Sequence, residues 1–391
     1  MIPDMRRLAA ALVVVPIVLA SCGAARENDS ASSSNPVATT APPTGASAAT
    51  TSTAPPTVPT TEIPTTEIPT TEIPTTPAPM SEVATTALST SPPNTTPAPI
   101  SGAAIASSGC AAPAAPAASV SIDSGGERRT TLLALPDELA TPAPLVIDLH
   151  GLGADATQQA AYSRLAELGP QAGIVVATPE SSTGAFWVLP VTTGTRDVVF
   201  VRDLIAQLGS QYCIDTSRVI VTGISNGGGL AAGVGCELAD VVTVVVPVSG
   251  VNIAPTCDAP SSIVAFHGTD DPIIPYVGGS PFSGTGRSTP SRTSPGGREL
   301  SAMSLPAVET VMSTWAAANG CTASSDTAVG ADIVHRVWTG CRPGATVELY
   351  TVIGGGHTWP GATPVPPLGE TTTAVDATQI VFELARTLTR S

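Results

Sequence analysis

The run Arg218-Val219-Ile220-Val221-Thr222-Gly223-Ile224-Ser225-Asn226-Gly227 decides how the rest of the chain is read. Arg218 to Thr222 is a short, β-branched run, which predicts a buried strand. Ser225 to Leu238 reads as a helix. Between the two lies G-x-S-x-G, at the strand-to-helix turn that lifts a serine hydroxyl clear of a sheet edge. Side chains at Gly223 and Gly227 would collide with neighbouring chain at such a turn. The hydroxyl then stands beside a helix N-terminus, whose field favours developing negative charge. Ser225 is the candidate nucleophile.

Outward from that turn the pattern repeats. Leu145 to Leu149, Gly173 to Thr178, Val241 to Pro247 and Ser261 to Phe266 read as strands, with another at Val347 to Ile353. Helical patterns fall at Ala156 to Leu168, Val198 to Gln211, Pro306 to Asn319 and Ala377 to Leu388. Continuous apolar runs alternating with helices predict an α/β fold with a mostly parallel central sheet and helices on both faces. Gly278 to Leu305, rich in Gly, Ser, Pro and Arg, reads as a surface excursion.

A serine nucleophile needs a base, and the chain has four histidines: His150, His267, His335 and His357. His335 alternates with apolar residues and reads as an outward strand residue. His150 and His267 each end an apolar strand and precede a glycine, which suits a structural role. His357, in Gly354-Gly355-Gly356-His357-Thr358-Trp359-Pro360, is the candidate base. His267-Gly268-Thr269-Asp270-Asp271-Pro272 offers two carboxylates to orient it; Asp271 is favoured because it precedes Pro-Ile-Ile-Pro, and Asp270 stays open. The order Ser225, Asp271, His357 is that of α/β-hydrolases. An oxyanion hole would use the backbone N–H of Asn226 and that of Leu152, or else Gly151, in Leu149-His150-Gly151-Leu152-Gly153.

The N-terminus reads as targeting rather than fold. Arg6 and Arg7 precede the apolar run Leu8 to Leu19, and Leu19-Ala20-Ser21-Cys22 has the pattern of a lipobox. Residues 1–22 are therefore expected to be a lipoprotein signal segment that ends at an acylated Cys22, and the protein is expected to be exported and anchored in the membrane by lipid alone. Residues 23–108 form a Ser/Thr/Pro/Ala tract without an aromatic residue, and Thr-Thr-Glu-Ile-Pro occurs three times from Thr60 to Pro74. Such a segment cannot offset its ordering entropy by burial and predicts a disordered tether. Residues 109–391 form the expected catalytic domain.

Of seven cysteines, six remain after Cys22, an even number that predicts disulfides in an exported chain. Cys321 and Cys341 flank a short segment and are the favoured pair. Cys110, Cys213, Cys236 and Cys257 would make two more bridges of open pairing. Zinc is disfavoured by the lack of C-x-x-C and the few histidines, so no metal is expected. The net charge of -15, with every basic residue an Arg, excludes nucleic acid as a partner. No H-E-x-x-H, dinucleotide or P-loop pattern occurs, so no cofactor is expected.

Taken together, Asp148-Leu149-His150-Gly151, Arg196-Asp197-Val198-Val199-Phe200, Tyr212-Cys213-Ile214-Asp215, Gly223 to Gly228, Pro247-Val248-Ser249-Gly250, His267 to Pro272 and Gly355 to Gly361 resemble the polyhydroxybutyrate depolymerase and feruloyl esterase group of α/β-hydrolases. The resemblance covers nearly all of Gly109 to Ser391. It implies the α/β-hydrolase fold, a triad of Ser225, Asp271 and His357, and a serine esterase; separately, the chain is expected to act as a monomer. The implied substrates are feruloyl or acetyl esters of carbohydrates, polyester oligomers or small esters. It also implies that Trp187 lines the substrate cleft, where a packed core aromatic is the other reading. Trp359, beside the base, would shape the pocket rim. A serine peptidase and a non-catalytic cell-envelope binding lipoprotein on the same fold are the rival expectations.

Overall fold

The computed structural model describes residues 103–189, 195–253, 257–258, 260–282 and 303–390. The signal segment with Cys22, the tether up to residue 102 and most of the excursion after Gly278 lie outside the described residues.

Strand β3 (Ala143–Leu149) shows how the sequence makes the fold. All of it is buried. Leu145, Ile147 and Leu149 enter one hydrophobic cluster, and Val146 enters another. Side chains alternate across a strand, so a strand that buries both sets needs cover on both faces. Helices α3 (Arg196–Gln211), α4 (Asn226–Glu237) and α5 (Val308–Ala318) cover one face with Phe200, Leu204, Leu230, Met312 and Trp315. Helices α2 (Leu165–Leu168) and α6 (Ala377–Thr387) cover the other with Leu165, Val381 and Phe382. Each such side chain, fully buried, contributes roughly 1.5–3 kcal/mol.

The other strands are β1 (Ser119–Ser124), β2 (Glu127–Ala134), β4 (Val175–Pro179), β5 (Ile214–Ile224), β6 (Val244–Val248), β7 (Ser262–Gly268), β8 (Ala323–Val329), β9 (Ile333–Thr339) and β10 (Val347–Val352). They form one sheet in the order β1-β2-β4-β3-β5-β6-β7-β10-β9-β8. From β4 to β10 every neighbouring pair is parallel. Two antiparallel strands close each edge. A mostly parallel sheet in this order, layered by helices and carrying a serine at the β5–α4 turn, is the α/β-hydrolase fold.

The edges differ from the sequence expectation. The β1–β2 hairpin and β8 were not expected as strands, because Ser119–Ser124 and Ala323–Val329 are mostly polar and exposed and present no apolar run. The helix expected over Ala156 to Leu168 is two, α1 (Ala156–Ser163) and α2. They break at Arg164, which adopts a left-handed conformation (φ 59°) and bonds Asp376 at 2.5 Å.

Residues just before Gly109 already belong to this body. The Ile105 N–H donates to Asp215 Oδ1 at 3.0 Å, and the Ser107 N–H donates to Ile214 O at 2.9 Å. Disulfides join Cys110 to Cys213, Cys236 to Cys257 and Cys321 to Cys341. Gly279 and Leu305 exchange both backbone hydrogen bonds, at 2.9 and 2.8 Å, so the ends of the excursion meet.

Candidate active site

Ser225 stands between β5 and α4 with φ 58° and ψ −122°, a strained backbone for a residue with a side chain. Its N–H donates to Val248 O at 2.9 Å, and its carbonyl accepts from the Gly229 N–H at 2.8 Å. The strain persists because the turn has no room to relax. A Cβ on Gly223 would lie 2.5 Å from Leu149 O, and one on Gly227 would strike the carbonyls of Leu149 and His150.

His357 comes from the loop after β10 and is pinned by its own N–H, which donates to Leu368 O at 2.7 Å. Its Nδ1 lies 2.8 Å from Asp271 Oδ2. A carboxylate only accepts, so Nδ1 carries the proton and Nε2 is left as the basic atom. Asp271 Oδ1 accepts from the N–H groups of Ile273 and Ile274, both at 2.8 Å. Burial pushes this carboxyl up, but the His357 charge and these hydrogen bonds outweigh it and hold it below the usual carboxylate range. Asp270 is exposed and takes a hydrogen bond from Thr269 Oγ1. Of the two carboxylates left open by the sequence, Asp271 is the one that meets His357.

His267 reaches Asp271 from another side. Its Nε2 lies 3.5 Å from Asp271 Oδ2 and 2.9 Å from Ile274 O. Burial pushes its pKa down, which keeps it neutral and a donor to that carbonyl. His150 is buried, bonds Gly151 O through Nδ1 at 2.9 Å and accepts from the Ser181 N–H at 3.3 Å. His335 pairs with Glu348 and stacks on Tyr350, away from the cavity.

Ser225 and His357 open onto one cavity of about 580 Å³. Its walls are mainly apolar: Leu152, Ala154, Ile224, Ile273, Ile274, Phe282, Val365 and Leu368, with Tyr162, Gln158 and Gln159 as the polar side chains. Among the described residues, no charged side chain lines it. Among the described residues, neither the Asn226 N–H nor the Leu152 N–H has a hydrogen-bond partner. Leu152 lines the cavity beside Gly151, and Asn226 opens α4 directly after Ser225.

The two tryptophans read as pocket residues lie elsewhere. Trp187 is 1% exposed and packs in the core against Phe200 and His150, not on the cavity wall. A ring of that size is satisfied there because its Nε1–H donates to His150 O at 2.9 Å. Trp359 is fully buried, and its Nε1–H donates to Thr378 Oγ1 at 3.0 Å. Its backbone N–H instead holds the hydroxyl of Tyr162, at 3.2 Å, and it is Tyr162 that lines the cavity.

Residues 131–273 match the family model for esterase PHB depolymerase. Feruloyl esterase B of Piromyces equi is 29% identical over 228 residues, which is 55% of this chain and 39% of that protein. The bifunctional acetylxylan esterase/xylanase XynS20E of Neocallimastix patriciarum is 33% identical over 144 residues, 36% of this chain and 21% of that one. Over these stretches the chain is similar to the polyhydroxybutyrate depolymerase and feruloyl esterase group of hydrolases. It spans well under half the length of these two relatives. Among solved structures, the acetyl xylan esterase from Aspergillus awamori superposes with a TM-score of 0.45 at 15% identity, covering 62% of this chain and 94% of that one. Tyr162, Phe282 and Leu368 are among the cavity residues that sequence reading missed. They sit in segments without a motif, and only the fold brings them together.

Proposed function

We propose that the chain is an exported serine esterase acting on carboxylic esters, with Ser225 as nucleophile, His357 as base and Asp271 as the orienting acid. The observation that carries this is the 2.8 Å bond from His357 to Asp271 at a cavity that Ser225 also lines on a strained turn. In this reading His357 Nε2 takes the Ser225 Oγ proton as Oγ bonds the ester carbonyl carbon. The resulting oxyanion accepts from the N–H groups of Asn226 and Leu152. One such donor contributes about 3–4 kcal/mol to the transition state. The C–O bond to the alcohol breaks, and the alcohol leaves with the proton from His357. Water, deprotonated by His357, then attacks the acyl-enzyme, and the acid departs as Ser225 recovers its proton. Asp271 stays ionised throughout and stabilises the imidazolium.

The mainly apolar cavity wall suits a neutral acyl or alkyl group. The feruloyl and acetylxylan esterase relatives support esters linked to carbohydrate, and the family model supports polyester oligomers. Three disulfides support export, since such bridges persist in oxidising compartments. Lipid attachment at Cys22, a tether from residue 23 that ends before Ile105, a catalytic domain that starts there rather than at Gly109, and action as a monomer complete the proposal.

The test is hydrolysis of short-chain nitrophenyl, feruloyl and acetylated-sugar esters by the full chain beside Ser225→Ala. The expected result is turnover that falls on the order of 10⁶-fold in the variant. A folded protein with no turnover on any ester would favour a binding lipoprotein or a peptidase instead.

A further inference from the structure

We propose that Trp187 is a positioning residue for the oxyanion hole, a strut that holds the two chain segments carrying its donors in register. The proposal rests on the esterase reading of the site. Trp187 is buried and off the cavity wall, yet it bonds both segments. Its backbone N–H donates to Asn226 Oδ1 at 2.7 Å, and the Asn226 Nδ2 donates back to Trp187 O at 3.1 Å. Its indole N–H donates to His150 O at 2.9 Å, two residues before Leu152. The His150 ring lies 4.8 Å from the indole, which fixes the same loop from the side. One residue thus spaces the Asn226 N–H against the Leu152 N–H.

The strut is braced from behind. The Val188 N–H donates to Asp197 Oδ2 at 2.6 Å, and Arg129 Nη1 donates to Asp197 Oδ1 at 2.6 Å with both side chains buried. Arg129 also lies over the Phe200 ring. A charged pair of this kind resists displacement because neither partner can lose the other without a buried, uncompensated charge. The line from Arg129 through Asp197 and Trp187 to Asn226 is continuous, and every side chain in it is buried. An oxyanion hole works only when its donors are already placed where negative charge develops. A misplacement of about 1 Å can cost on the order of 100-fold in rate.

Trp187→Phe keeps an aromatic ring in the core and removes the indole donor. Rates are expressed per active site, counted with a fluorophosphonate that labels the nucleophilic serine, so loss of folded protein does not enter. The expected result is a fall in kcat of about 10- to 100-fold with KM nearly unchanged. Affinity for an alkylboronic acid, which presents a tetrahedral anion to the hole, should fall in parallel. Asn226→Ala keeps the backbone N–H and removes the clamp; it should show the same pattern and decides the matter if Trp187→Phe does not fold. The double variant should lose little more than either single one, because both cut the same connection. Wild-type kcat per titrated site in either variant, a rise in KM with kcat unchanged, or full additivity would overturn the proposal. Persistent turnover in Ser225→Ala is a separate outcome: it would overturn the esterase reading on which the strut rests.

Discussion

Nδ1 of His357 lies 2.8 Å from Oδ2 of Asp271, although 86 positions of chain separate them. That bond decides which tautomer of His357 faces the cavity. In Asp271→Asn the amide can present an N–H to the ring and favour the wrong tautomer, so kcat on a nitrophenyl ester should fall about 10⁴-fold at neutral pH. Asp270→Asn, at an exposed residue that does not meet His357, should leave kcat close to that of the parent protein.

Asp148 is fully buried on β3 and accepts from Ser163 Oγ at 2.6 Å and Gln159 Nε2 at 2.7 Å. Burial pushes its carboxyl from 3.8 up to about 7, against those two hydrogen bonds. A raised acid keeps its proton longer in the folded than in the unfolded chain. Folding is therefore penalised progressively as pH rises from near 4 to about 7, and fully above that. Asp148→Asn cannot ionise and escapes the penalty. Its melting temperature relative to wild type should rise between pH 5 and pH 8, by about 2–4 °C for each kcal/mol gained. A pH-independent difference in calorimetry would contradict this assignment.

The three disulfides close loops of very different length. Cys110 and Cys213 are 103 positions apart, whereas Cys321 and Cys341 are 20 apart. Loop-closure entropy makes the long one worth about 4–5 kcal/mol and the short one about 3 kcal/mol. Replacing Cys110 and Cys213 together by Ser should lower the denaturant midpoint more than replacing Cys321 and Cys341 together.

Gly227→Ala should damage both stability and turnover. Its new methyl group would run into the backbone carbonyls of Leu149 and His150, and backbone cannot rotate away as a side chain can. Overpacking of this kind costs about 1–3 kcal/mol. It should also displace the Ser225 turn, so activity per folded molecule, measured against circular dichroism, should fall as well.

Much of this site could be read from single residues. Ser225 announces itself because the glycines around it are demanded by close backbone approach, and the strand before it is an unbroken apolar run. His357 is legible for a similar reason, lying among glycines after a strand. The central strands were legible because burial on both faces leaves a continuous apolar signature. The edges were not, since the exposed β8 carries no such pattern. Asp270 and Asp271 are equivalent in local sequence; only the turn that aims Ile273 and Ile274 N–H groups at one carboxylate separates them. The tryptophans show the opposite failure. The resemblance implied a cleft wall for Trp187 and nearness to His357 implied a rim for Trp359, but whether an indole faces a ligand or the core depends on long-range partners such as His150 O and Thr378 Oγ1.

The paired backbone bonds between Gly279 and Leu305 bear on how a fold of this kind can diversify. The chain between these two residues therefore begins and ends at one place, so a change in its length need not move the sheet. Phe282, three positions past that junction, lines the cavity. Heritable variation in this one insertion therefore offers a route to new ester preference while the residues that would carry the chemistry stay where they are.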